Sequence, residues 1–155
     1  MKEEIIVHKI ENIWQDPQCF CISEFIRDEF FYYFKCWDYN KGITHNIEDD
    51  FLGCFNVENM MSIKHLRHTQ LELYPSNINH DYKCYYYEIK NSKWMTKILN
   101  ERENYDSNWR KYDDRVYKHF IFENAKYWVE VIGTKVIFDK VKKSNEKIYL
   151  WENYG

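Results

Sequence analysis

Residues 30–37 read Phe-Phe-Tyr-Tyr-Phe-Lys-Cys-Trp and residues 82–89 read Tyr-Lys-Cys-Tyr-Tyr-Tyr-Glu-Ile. Aromatic side chains at this density suit a pleated strand with one face buried and the other at least partly covered, so both runs are expected to be strands. The chain holds fourteen Tyr, ten Phe and six Trp but a single alanine, Ala125. Its core must therefore be filled largely by rings, which excludes an Ala- and Leu-rich bundle and leaves ample apolar area to offset the entropy of folding. With 155 residues, one domain spanning 1–155 is expected around a single core.

The second aromatic run is followed by Lys90-Asn91-Ser92, where Asn91 or Ser92 can cap a helix. Trp94, Met95, Ile98, Leu99, Tyr105 and Trp109 then recur at spacings of threes and fours, predicting one amphipathic helix from Lys93 to about Trp109, with Asn104 and Asp106–Asn108 able to end it early. Val116–Phe122, Tyr127–Ile132 and Lys135–Val141 alternate between turn residues and read as a three-stranded antiparallel meander. Within it, Tyr127, Val129 and Val131 point one way and Trp128, Glu130 and Ile132 the other; the solvent-side face keeps a large aromatic, so a helix is expected over that sheet. Only four glycines and two prolines punctuate the chain, and no repeat or linker interrupts it. The first 26 residues fit either period. The expected class is α+β: an antiparallel sheet of five or six strands packed against one to three helices.

The 22 basic and 25 acidic residues give a net charge of −3, which disfavours nucleic-acid binding by bulk positive charge. The acids are concentrated early: residues 1–60 hold 12 acids and 5 bases, residues 61–155 hold 13 and 17. Glu48, Asp49 and Asp50 are consecutive and form the candidate docking segment for a basic partner. The N-terminus resembles no signal or transit peptide, and no apolar run approaches the ~18 residues that cross a bilayer. With five cysteines, an odd number in a chain large enough for its own core, buried reduced thiols are expected rather than a disulfide framework, pointing to the cytoplasm.

Candidate chemistry is sparse. Cys19-x-Cys21 and His65-x-x-His68 could each place two ligands on one face, but neither pair has an evident second half, so no metal is assigned. Four dispersed glycines cannot form a phosphate loop, which disfavours ATP, GTP and NAD; no cofactor is expected. No cysteine–histidine pair is singled out as a nucleophile and base. Glu88-Ile89-Lys90 at a strand end matches the Glu-x-Lys of metal-dependent nucleases of the PD-(D/E)xK type, where carboxylates hold Mg²⁺ and a lysine sits beside the attacking water; Asp81 or Asp50 would supply the further carboxylate. Tyr85, Tyr86, Tyr87 and Trp128 with Lys83, Lys118 and Lys126 could form a stacking platform for single-stranded nucleic acid. The same rings are needed in the core.

Tyr87-Glu88-Ile89-Lys90-Asn91-Ser92-Lys93-Trp94, Tyr117-Lys118-His119-Phe120-Ile121-Phe122 and Trp128-Val129-Glu130-Val131-Ile132 resemble a pattern of small bacterial proteins: strand, Asn-Ser, Trp-bearing helix, then a hairpin. Some of those proteins are similar to the immunity proteins of contact-dependent and polymorphic toxin systems. The resemblance implies a cytoplasmic binding protein that neutralises a cognate toxin, such as a basic nuclease effector, and brings no catalytic residue with it. An acidic segment is consistent with electrostatically steered docking onto a basic partner.

Overall fold

The computed structural model describes residues 1–15, 21–38, 51–67, 83–123 and 127–142. Its strands are β1 (Glu4–Gln15), β2 (Ile22–Ile26), β3 (Glu29–Asp38), β4 (Phe51–Glu58), β5 (Ser62–Arg67), β6 (Lys83–Lys90), β7 (Lys118–Glu123), β8 (Tyr127–Gly133) and β9 (Lys135–Lys142). The α-helix α1 (Lys93–Tyr105) and a 3₁₀ turn (Trp109–Lys111) lie between β6 and β7. The expectation of an α+β domain with five or six strands and up to three helices is thereby corrected. The described residues form nine strands and one α-helix, a β-rich fold. Both aromatic runs are strands as read, and so is the ambiguous N-terminal stretch, as β1 and β2.

All ladders are antiparallel, in the order β5-β8-β7-β6-β1-β3-β4-β9, with β2 also paired to β3. The meander is corrected too: β7 pairs β8, but β9 leaves β8 at Gly133 and pairs β4 instead. The reason lies at the corner. β4 passes into β5 and β8 into β9 side by side, with Glu58 opposite Lys135 and Ser62 opposite Ile132. Met61 N–H donates to the Ile132 carbonyl at 2.7 Å and Thr134 N–H to the Glu58 carbonyl at 2.9 Å. A Cβ at Gly133 would collide with Val57, so the bend requires a residue without one. Because this bent pair belongs to both ends of the strand order, the sheet curls back on itself as a barrel-like closure.

A second irregularity completes the curl. β1 pairs β6 up to Lys9, slips in register before Trp14, and there Ile13–Gln15 pair with β3. Asn12 sits in this bulge with φ 61°, a left-handed conformation that Asn tolerates better than most residues. The interior is aromatic. Phe55 of β4 lies 5.1 Å from Phe34, 5.2 Å from Phe122, 5.4 Å from Tyr86 and 5.7 Å from Phe138, so rings from β3, β6, β7 and β9 meet on it.

The helix begins where the sequence places it. Ser92 caps it, its Oγ accepting from Met95 N–H at 3.0 Å, and Asn91 turns the chain out of β6 with φ 55°. It stops at Tyr105, the break that Asp106 foreshadows, and Trp109 belongs to the following 3₁₀ turn. Trp94, Met95, Ile98 and Leu99 pack on Trp109, Tyr117 and Ile132, covering the outer face of β7 and β8. Trp109 is clamped between the Arg102 and Arg110 guanidinium groups, 4.5 and 3.9 Å from its ring.

Candidate functional site

Glu88 and Lys90 alternate onto the same face of β6 and do meet: Lys90 Nζ lies 2.6 Å from Glu88 Oε2. Lys118 Nζ on β7 and His8 Nε2 on β1 approach Glu88 Oε1 at 3.5 and 3.4 Å. Burial pushes the Glu88 carboxyl up, but the Lys90 hydrogen bond and the charges of Lys118, Lys90 and His8 outweigh it and hold the group below the usual carboxylate range. What surrounds Glu88 is thus basic, where a Mg²⁺ site needs further carboxylates. Among the described residues no group of three or more His, Cys, Asp or Glu could hold a metal ion. Asp81 and Asp50, Cys19 and His68 lie outside those residues. His65 rests against the Tyr127 ring at 4.9 Å.

The thiols are core residues. Cys36, Cys54 and Cys84 are buried and Cys21 half-buried, and none of the four forms a disulfide. Burial, with a smaller contribution from neighbouring Cys36, pushes the Cys84 thiol up, the opposite of what a nucleophilic thiolate requires.

Of the aromatics read as a stacking platform, Tyr87 and Trp128 are buried and Tyr85 and Tyr86 half-buried. Tyr86 enters the interior against Phe55, Phe120 and Phe122, with His8 stacked on it at 4.8 Å. Tyr87 and Trp128 stack on each other on the opposite face, each 3% exposed. Tyr85 and Tyr87 both donate to Glu123 Oε1, at 2.9 and 2.7 Å. Burial first, then the Glu123 carboxylate, raises both hydroxyls far above the ordinary tyrosine range. Lys126 lies outside the described residues.

One constellation escapes the sequence reading. Ser92 Oγ lies 2.7 Å from His119 Nδ1, and His119 Nε2 lies 2.7 Å from Glu130 Oε1. The three residues come from the helix cap, β7 and β8, and all are buried, with His119 at 0% exposure. An ionised Glu130 requires Nε2–H as donor, which leaves Nδ1 to accept the Ser92 hydroxyl proton while Oγ still accepts from Met95. This serine–histidine–glutamate chain has the connectivity of a hydrolytic triad, but all three of its members are buried and the Trp94 ring stands edge-on to the imidazole at 5.0 Å. Its effect is to pin the start of α1 to the sheet. Glu130 shares its face with Trp128 and Ile132, the face that the large aromatic marks as needing a helix over it, and α1 lies there.

The exterior offers a different feature. β2 and β3 form a hairpin through Arg27 and Asp28, near whose tip Phe25 (54%) and Ile26 (49%) are exposed on opposite faces of β2, Phe25 with its ring 5.4 Å from that of Phe30. Glu24, Asp28 and Glu29 flank them, and Arg115 is held in its charged form chiefly by its hydrogen bond to Tyr117, then by Asp113 and least by Asp28. The Asp28 carbonyl accepts from Met60 N–H at 2.6 Å, tethering the tip to the β4–β5 corner. Arg27 holds φ 53°, unusual for a long side chain. The acidic segment Glu48, Asp49 and Asp50 lies outside the described residues. No described helix is long and apolar enough to cross a membrane. The chain matches no protein-family model, and no curated protein or solved structure matches it significantly.

Proposed function

We propose that this protein works by binding another protein, as an immunity protein that neutralises a cognate bacterial toxin in the cytoplasm, the toxin being a basic nuclease effector. The observation that carries this reading is the β2–β3 tip. Two large apolar residues, Phe25 and Ile26, are half-exposed at the end of a tethered hairpin, one on each face of β2, and acids flank them, a composition that suits an interface anchor with a charged rim. The acidic balance of residues 1–60 supplies the steering field, to which Glu48, Asp49 and Asp50 contribute.

The test is binding to the product of the reading frame immediately upstream, with growth rescue of cells expressing that product. Nanomolar affinity, an on-rate that falls steeply with salt, and slower association when Glu48, Asp49 and Asp50 are reversed to lysine support the proposal. An on-rate indifferent to that reversal removes the segment from the interface. Cleavage of DNA or RNA by the purified protein with Mg²⁺, abolished by Glu88→Ala or Lys90→Ala, overturns the inhibitor reading in favour of the nuclease.

A further inference from the structure

Arg27 is the first of the two turn residues between β2 and β3, and its φ is 53°. The favoured two-residue hairpin turns take positive φ at that position, which glycine adopts freely and a residue with a Cβ does not. The strain has no local outlet. Ile26 pairs with Glu29 directly behind the turn, the Asp28 carbonyl accepts from Met60 N–H at 2.6 Å, and the Phe25 ring lies 5.4 Å from that of Phe30. The tip is thus fixed in place while Arg27 itself is exposed. Backbone strain that the surrounding structure maintains concentrates at functional positions, and what it presents here is a guanidinium. Of the chain's five arginines, Arg102 and Arg110 clamp Trp109 and Arg115 bonds Tyr117, so those three serve the connection from α1 to β7. Arg27 is the sole base of residues 22–34, and Asp28 and Glu29 follow it directly.

Resting on the protein-binding role above, we infer that Arg27 is the central anchor of the interface and enters the catalytic centre of the nuclease effector, pairing with the carboxylates there. Charge selects this occupant. One cation beside acids is the mirror image of a nuclease centre, where carboxylates are set among the cations that hold a nucleic-acid backbone. A free nucleic acid fits poorly, because its phosphates meet Asp28 and Glu29 with like charge and bring no cations of their own. Arginine suits the task, since its planar fork engages a carboxylate through two parallel bonds and loses less freedom per bond than lysine does. Phe25 and Ile26, half-exposed on the two faces of the strand before it, supply apolar surface that keeps water from the pair. A tip already fixed in its bound shape leaves little ordering cost to binding, which is the use of the strain.

The experiment measures binding of the full-length protein and three variants to the upstream gene product, with the thermal midpoint of each. Arg27→Gly is expected to weaken binding about 100-fold while its midpoint holds or rises, a split that a merely structural arginine does not produce. Arg27→Met, which keeps the aliphatic stem, should lose as much, and Arg27→Lys, which keeps the charge, only about tenfold. In the complex of Arg27→Lys, a carbodiimide should couple the amine at position 27 to an effector carboxylate identified by mass spectrometry. Alanine at that carboxylate should abolish toxicity. Native affinity in Arg27→Gly, equal losses in Arg27→Lys and Arg27→Met, or coupling that is absent or falls on a carboxylate toxicity does not need overturns the inference and leaves the protein-binding role standing. No binding by the native protein removes that role, and the inference with it.

Discussion

Replacing His119 by alanine probes the buried chain beneath α1 most sharply. The substitution leaves the Ser92 hydroxyl without its acceptor and the Glu130 carboxylate without the imidazole that engages Oε1, while Oε2 already has no hydrogen-bond partner. Removing the donor that compensates a buried carboxylate costs about 3–5 kcal/mol, because that charge stays desolvated and uncompensated. Against a total stability of about 5–15 kcal/mol this is a large fraction, and the midpoint should fall by about 6–20 °C. Ser92→Ala should cost less, about 2–4 kcal/mol, from a lost cap and an unpaired ring nitrogen. The double variant His119→Phe/Glu130→Leu, which removes the polar pair whole, should lie near the native stability or above it. Urea unfolding followed by circular dichroism reads all three, with an unchanged m-value confirming that the same surface is exposed. A His119→Ala loss below about 1 kcal/mol would refute the reasoning, since it would mean that water reaches these groups in the native protein.

Arg27→Gly should stabilise the protein by up to about 1 kcal/mol in the same assay, because glycine adopts the observed φ of 53° without a Cβ penalty; a loss of stability would show that the Arg27 side chain contributes more than the strain costs. Gly53→Ala should cost about 1–3 kcal/mol, since its Cβ would strike the Phe34 ring and lie 3.0 Å from Cys36 Sγ; an unchanged midpoint would contradict the close packing there. Glu88 has a lowered folded-state pKa, so its contribution is present above the ordinary glutamate range and is lost as pH falls through the depressed value. Glu88→Gln should therefore flatten the acid limb of the stability profile, and an identical slope would refute that linkage.

The strands were legible where the pattern is local. The ring-dense runs that stand as β3 and, from Lys83, as β6, the Asn91-Ser92 pair of which Ser92 is the cap, and the break at Asp106 each announce themselves within a few residues. What was not legible is pairing between distant segments. Nothing local to Lys135–Lys142 says that it belongs beside β4 rather than β8; Gly133, between the second and third segments of the expected meander, is the bend at which the strand changes partners. Alternation within β8 shows that the face of Trp128, Glu130 and Ile132 needs a helix over it but not which groups Glu130 meets, since His119 lies across the ladder and Ser92 comes from another element altogether. Phe25 and Ile26 looked like any apolar pair in a stretch of uncertain period; their exposure is a tertiary fact.

Hydrogen–deuterium exchange of this chain, alone and with the upstream gene product bound, tests the central claim most directly. The account predicts that protection gained on complex formation centres on residues 22–29, while β5 and β9 exchange as in the free protein. A complex that protects β5 or β9 and leaves the β2–β3 tip unchanged would contradict it.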